Sequence, residues 1–467
     1  MNLSRSDVST VVLAAGRSSR MKTNIPKCLL DFAGRPLISR VCEAAYELQT
    51  SSVVLVHREQ DYEAMSKALD LCSKNNPVWL SQQDSLGYGT GVALLSALKV
   101  VKTAYCLVLL GDVPALCVET LKSFVDQACQ QGTVSVLSAI KQDPGAYGRI
   151  LRQDDGQCVA IREAAHLTKN QLRITEVNTG ILFLPVAFAR ATLSEMVKVN
   201  LGSEVYLTDL VEKAYKQGLM PTAFPCDQEK AWCFWGVNTL CEITRLQKLY
   251  YRNQAKKLLE QGVWVMDPSR FVCAGTLYCE PGVVIDEDVS IYGVVYVKTD
   301  ARIGKGAIIN NSIIGKGAEV LPYSIVEKTR LGASVRVGPF AYCRGHTDIE
   351  DSAQVGCFVE TKNTRVGRAT TAKHLAYLGD LTIEEGVNIG AGVIHCNYDG
   401  LKKHHSVVKK HAFIGADTQL IGPVSIGEQS VVGAGTTVVE DVPDKTLAIS
   451  RVRQQTKSRK SKQVLDV

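Results

Sequence analysis

Residues 303–320 read IGKGAIINNSIIGKGAEV. Aliphatic residues return at Ile303, Ile309, Ile314 and Val320, close to every sixth position, and Ile303 and Ile314 are each followed by glycine. The same beat includes Ile285, Ile291 and Val297 upstream and Val326, Leu331-Gly332, Val337-Gly338, Ile349 and Val355-Gly356 downstream. It resumes at Ile414-Gly415, Leu420, Ile426-Gly427, Val432-Gly433 and Val438. In such a repeat each hexapeptide makes one short face of a triangular coil and stacks its aliphatic residue inward. The pattern predicts a left-handed parallel β-helix of hexapeptide repeats within residues 263–467. Its register breaks between Ile389 and Ile414, where CNYDGLKKHHSVVKK (396–410) carries two lysine pairs with His404 and His405, flanked by His395 and His411. A long excursion from a regular coil is where binding groups are expected.

Before residue 240 the period is different. Apolar β-rich runs such as VVLAAG, SSVVLVH, AYCLVLL and TVSVLSAI alternate with helical patterns near 37–48, 62–71 and 118–129. That alternation predicts a parallel sheet with helices on both faces, binding its ligand at the carboxyl ends of the strands. Residues 239–262 read as one connecting helix, with Leu240, Ile243, Leu246 and Tyr250 on one side and Gly262 as its stop. The expected organisation is thus 1–238, a linker helix 239–262, and 263–467.

Composition limits the partners. Lys+Arg 53 against Asp+Glu 47 gives +6, but the last 17 residues carry six basic side chains against Asp466, leaving the remainder at +1. No global basic field argues for nucleic acid, and no apolar run suits a signal peptide or a membrane span. Fifteen cysteines without a C-x-x-C pair fit reduced thiols in a cytoplasm rather than disulfides or a zinc ribbon.

The stretch Leu13-Ala14-Ala15-Gly16-Arg17-Ser18-Ser19-Arg20-Met21, followed by Pro26-Lys27, sits where the first strand turns into a helix. Small residues let the backbone approach an anion, and Arg17, Arg20 and Lys27 suit a triphosphate. This pattern resembles the nucleotidyltransferases that activate sugar phosphates with an NTP, whose fold is a Rossmann-like, mostly parallel α/β sheet. Through KHLAYLGD, NIGAG, CNYDG, GADTQL and AISR the similarity extends over almost the whole chain to the bacterial bifunctional UDP-N-acetylglucosamine pyrophosphorylases and glucosamine-1-phosphate N-acetyltransferases.

In the front half the resemblance implies that Leu13, Ala14, Ala15, Gly16, Arg20 and Lys27 hold the UTP phosphates, Lys27 catalytically. Gln82 with Gly87, Gly89 and Thr90 would read the uracil edge, and Asp112 in LLGDVP with Asn238 in GVN would bind Mg²⁺. Gly148, Glu163 and Asn178 would bind the N-acetylglucosamine moiety. The family's Leu-Gly-Thr-Gly is here Leu86-Gly87-Tyr88-Gly89-Thr90-Gly91, two residues longer, and Leu110 stands where an aromatic is usual.

In the rear half His374 matches the catalytic histidine, a fitting general base for an amine attacking a thioester. Arg344, Lys362, Tyr377 and Asn388 match the glucosamine 1-phosphate pocket. Ala391, Asn397, Tyr398, Ala416, Ala434 and Arg451 match positions along acetyl-CoA, with Ala416 replacing a usual serine. The resemblance implies a cytoplasmic homotrimer with small-molecule substrates, with acetylation first and uridylylation second, feeding peptidoglycan and lipopolysaccharide synthesis. The alternative keeps a pyrophosphorylase alone and uses the coil as a trimerisation scaffold. A protein-binding scaffold would have lost Lys27, Asp112 and Asn238, and a zinc-dependent coil needs histidines at the coil spacing. His404, His405 and His411 lack that spacing and read as loop surface.

Overall fold

The computed structural model describes residues 3–16, 21–70, 77–82, 88–199, 204–450 and 452–458. They form two compact units, Met1–Tyr250 and Tyr251–Val467.

The first unit is built on a sheet whose main strand order is Thr222–Pro225, Ser135–Ile140, Glu176–Pro185, Tyr105–Leu110, Val8–Leu13, Ser52–His57 and Val78–Ser81. The central strand Val8–Leu13 is buried at every position. Because successive side chains point to opposite faces, Val11 and Leu13 join one core with Val54 and Val108, while Val8 and Val12 join another with Leu55 and Leu107. Helices Leu37–Glu47, Tyr62–Asp70 and Val118–Gln131 occupy the segments expected from the sequence. The sheet is mostly parallel rather than wholly so, because Glu176–Pro185 runs antiparallel to both its neighbours. A short antiparallel hairpin, Arg149–Arg152 with Cys158–Arg162, branches from it.

Val8–Leu13 pairs with Ser52–His57 on one side and Tyr105–Leu110 on the other, so the order of the chain reverses across this strand. Such a switch point leaves a crevice beyond the strands' carboxyl ends. The loops leaving those ends are tied together: Ala14 N donates to Val56 O at 2.8 Å, Gly111 N to Leu13 O at 2.9 Å, and Gln82 N to His57 O at 2.8 Å.

A single helix covers Leu240–Glu260. Its start is a capping box, in which Glu242 Oε2 accepts from Asn238 N at 2.6 Å and Thr239 N at 3.1 Å, and Thr239 Oγ1 accepts from Glu242 N at 3.2 Å.

The second unit is a continuous parallel sheet of 26 short strands from Trp264–Val265 to Leu447–Ala448, consistent with a left-handed β-helix. Between Ile285 and Val355 strand partners lie 17 or 18 residues apart, as in Ile285↔Ile303, Ile303↔Val320, Val320↔Val337 and Val337↔Val355, so three hexapeptides make one turn of the coil. The inward residues stack into one core in which Ile285, Ile303, Val355, Ile383 and Ile426 have no exposed surface. Burial of that stripe is what holds each turn onto the next.

The break in the repeat is narrower than the sequence implied. Strand Ile394–Cys396 keeps the ladder, pairing His395 with Leu420, so His395 is an inward coil residue with no exposed surface rather than a flank of the loop. The excursion lies between Cys396 and Ser406. Cys343 and Thr361 also take inward places in the ladder, where polar or sulfur-bearing side chains hide the hexapeptide pattern. Among the described residues no helix is long and apolar enough to cross a membrane.

Candidate active sites

At the switch point of the first unit a cavity of about 440 Å³ opens. Leu13, Ala14, Ala15, Gly16, Lys27, Gln82, Gly89, Thr90, Asp112 and Asn238 all line it, with Tyr88 and Leu110, the two departures noted in the sequence, and with Arg58 and Glu204, whose part the sequence did not reveal. Arg20 and Gly87 lie outside the described residues, as does Arg451.

Three elements aim the polar groups. Lys27 opens a short 3-10 turn behind Pro26, Asp112 follows strand Tyr105–Leu110, and Asn238 precedes the capped helix. Val237 N donates to Asp112 O at 3.0 Å, holding the last two segments side by side. Lys27 Nζ donates to Asp112 Oδ2 and, at 2.9 Å, to Asn238 Oδ1. Asp112 Oδ1 is buried without a hydrogen-bond partner among the described residues. Behind Lys27 the Cys28 thiol is pushed up to about 12 by burial, so it stays protonated and is no nucleophile.

From Tyr88 onward the longer loop is held against residues 204–205. Tyr88 bridges to Glu204 in parallel fashion, with Val205 N donating to Tyr88 O at 3.1 Å and Gly91 N to Val205 O at 2.9 Å. Gly89 has φ +115°, and a Cβ there would meet Val205 O at 2.6 Å, which requires glycine.

Gly148, Glu163 and Asn178 do not line this cavity; they form a cluster of their own. Asn178 N donates to Gly148 O at 2.9 Å, and a Cβ on Gly148 would meet Glu163 Oε1 at 3.6 Å. Thr208 Oγ1 donates to Glu163 Oε1 at 2.8 Å and fixes that carboxylate.

In the second unit the ladder sets Arg344 beside Lys362 in adjacent turns, with Glu360 beside Tyr377. Arg344 Nε donates to Glu360 Oε1 at 2.8 Å. Lys362 is held below the ordinary lysine value, first by Lys403 in contact with it and then by Arg344. Like charges gathered this way raise the local positive potential. Lys403 was not singled out from the sequence, although the lysine pair in the loop was visible.

His374 is exposed on strand Thr371–Gly379, opposite Cys357 in the turn below, with Nδ1 3.8 Å from Cys357 Sγ. Thr371 Oγ1 donates to Asn388 Oδ1 at 3.1 Å. Ala391, Ala416 and Ala434 form one column, because Asp417 N donates to Ala391 O at 2.7 Å and Gly435 N to Ala416 O at 2.8 Å. A column of small side chains lets an extended ligand lie close to the backbone. Tyr398 is exposed, its hydroxyl donating to Gly400 O at 2.6 Å, and His404 Nε2 pairs with Asp399 Oδ2 at 2.6 Å to brace the loop. Among the described residues no group of three or more His, Cys, Asp or Glu is placed to hold a metal ion.

A model of MobA-like NTP transferase domains matches residues 10–204. The bifunctional protein GlmU of Ralstonia nicotianae is 40% identical over 452 residues, covering 96% of this chain and 97% of that one. The chain belongs to the GlmU family. GlmU proteins are bifunctional enzymes of UDP-N-acetylglucosamine synthesis, and the nucleotidyltransferase domain lies in the first unit. A solved Bacillus anthracis structure with sucrose, described as a glucose-1-phosphate thymidylyltransferase, is 16% identical with a TM-score of 0.42, covering 52% of this chain and 94% of that one.

Proposed function

We propose that the first unit transfers uridylyl from UTP to N-acetylglucosamine 1-phosphate at the Lys27–Asp112–Asn238 cluster, and that the second unit makes that acceptor by acetylating glucosamine 1-phosphate at His374. The observation that carries the first assignment is the convergence of three side chains from distant segments beside a small-residue loop.

Asp112 and Asn238 fit Mg²⁺. Both offer hard oxygen donors, one Asp112 oxygen is buried and unpartnered among the described residues, and Mg²⁺ takes one or two protein oxygens with substrate phosphates and water completing its shell. Bound there, the ion would neutralise charge on the reacting phosphate oxygens. Lys27, released from the two oxygens, neutralises charge on the triphosphate, and the amides of residues 13–16 cradle it. Gln82 and Thr90 read the base, and the Gly148–Glu163–Asn178 cluster receives the sugar. No covalent enzyme intermediate is required.

On the coil, His374 removes the proton from the attacking amine. Arg344, Lys362 and Lys403 hold the sugar phosphate, with Tyr377 and Asn388 on the sugar. Asn397 and Tyr398 flank the acetyl group, and the alanine column lies under the donor's arm. Ala416 in place of serine removes about one hydrogen bond, on the order of 1 kcal/mol. The active form is a homotrimer, as the family resemblance implies, and a coil without a cleft of its own suits ligands bound between copies.

Pyrophosphate release from UTP and N-acetylglucosamine 1-phosphate, and thiol release from acetyl-CoA and glucosamine 1-phosphate, test these roles. Asp112→Ala abolishes the first and spares the second, while Lys403→Ala raises the glucosamine 1-phosphate KM and leaves pyrophosphate release intact. Loss of both activities in either variant would count against the assignment.

A further inference from the structure

Asp380 follows strand Thr371–Gly379 at a left-handed turn, φ 51°. Its N–H donates to Lys362 O at 2.8 Å and its C=O accepts from Ser406 N at 3.3 Å, so the residue is clamped between the turn below and the strand that ends the long loop. The carboxylate spans the same gap: Oδ1 accepts from Asn363 Nδ2 at 3.0 Å and Oδ2 from Asn397 Nδ2 at 2.6 Å. Asn397 is buried, and its backbone is fixed too, donating to His395 O at 3.0 Å and accepting from His404 N at 2.7 Å.

A carboxylate only accepts hydrogen bonds, whereas an asparagine amide has one donating and one accepting end of nearly equal size. The contact therefore decides which way the Asn397 amide is turned. Its NH₂ faces Asp380, and its carbonyl Oδ1 is left on the opposite branch as an acceptor. With a neutral partner both orientations of the amide would be open.

We propose that Asp380 is a positioning residue for acetyl transfer, holding the Asn397 amide in one orientation so that Oδ1 accepts from an N–H of the substrate amine or of the acetyl donor. This rests on the assignment of Asn397 to the acetyl-transfer site. Asp380 itself touches no reacting atom.

Asp380→Asn tests the role, because it keeps shape and removes the orientation rule. Thiol release should show kcat lower by about tenfold with the acetyl-CoA KM within about twofold, the pattern of a misplaced group rather than of lost binding. Asn363→Ala, which removes the other partner of the same carboxylate, should stay within about twofold of the native kcat. Pyrophosphate release by each preparation checks its first unit, and circular dichroism checks the coil. The proposal is overturned if Asp380→Asn keeps the native kcat while Asn397→Ala loses it, or if Asn363→Ala loses as much as Asp380→Asn. If Asn397→Ala is itself fully active, the underlying site assignment fails, and the proposal falls with it.

Discussion

Asn238 Oδ1 accepts a hydrogen bond from Lys27 Nζ at 2.9 Å, joining residues 211 positions apart. Neither group is placed by its neighbours in sequence alone. Pro26 and a 3-10 turn aim the lysine, and the Thr239–Glu242 capping box pins the backbone of the asparagine. A charged amine between an amide oxygen and a carboxylate holds the site assembled before substrate arrives.

Lys27→Met should therefore lower pyrophosphate release by about 100-fold or more, the scale of losing one preorganised charge at a phosphoryl centre. Thiol release by the same protein should be unchanged. Steady-state assays of both reactions check this.

Gly89→Ala should impair the first unit alone. Its φ of +115° and the 2.6 Å approach to Val205 O leave no place for a Cβ, so the Tyr88 bridge must shift, at a cost of about 1–3 kcal/mol. The expected result is a raised UTP KM and a lower melting temperature for the first unit, read by kinetics and differential scanning calorimetry.

His395 makes the coil's stability depend on pH. Its ring is buried between Gly379 O (2.5 Å) and Ser406 Oγ (2.7 Å), and burial lowers its pKa. The unfolded histidine binds a proton below about pH 6.5, while the folded one does not until its lowered value is reached, so stability is complete above that pH and falls through this window. The slope contributed is at most about 1.4 kcal/mol per pH unit. Urea unfolding between pH 7.5 and 5 should show it in the native protein, and His395→Leu should flatten it.

Cys117 should alkylate before the thiols that burial keeps protonated. Its pKa is lowered to about 6, chiefly by the hydrogen bond with Cys233, with Thr120 adding and burial opposing. Burial holds Cys28, Cys42 and Cys106 near 12. Peptide mapping after brief iodoacetamide treatment at pH 7 should find the label on Cys117 and not on those three.

Much of this was legible before the structure. The aliphatic beat of Ile303, Ile309, Ile314 and Val320 dictates a coil because each residue must be buried, and each is. What the sequence hid has physical reasons. Residues 176–185 are not among the β-rich runs singled out from the sequence, and a strand's alternation does not state its direction, so the antiparallel course of Glu176–Pro185 is seen only in its pairing. His395 satisfies both ring nitrogens inside the coil, and Thr361 is buried there as well, so both interrupt a pattern defined by aliphatic residues. Cys357 and Arg344 meet His374 and Lys362 only through the 17- and 18-residue turn of the coil. Lys403 reaches Lys362 through the long loop, where no period applies.

The most direct measurement mixes two crippled proteins. Asp112→Ala and His374→Ala, each alone with glucosamine 1-phosphate, acetyl-CoA, UTP and Mg²⁺, should make no UDP-N-acetylglucosamine. Together they should make it, because the acetylated sugar phosphate released by the first is taken up by the second. Product from either variant alone, or none from the mixture, would contradict two independent sites on two units of one chain.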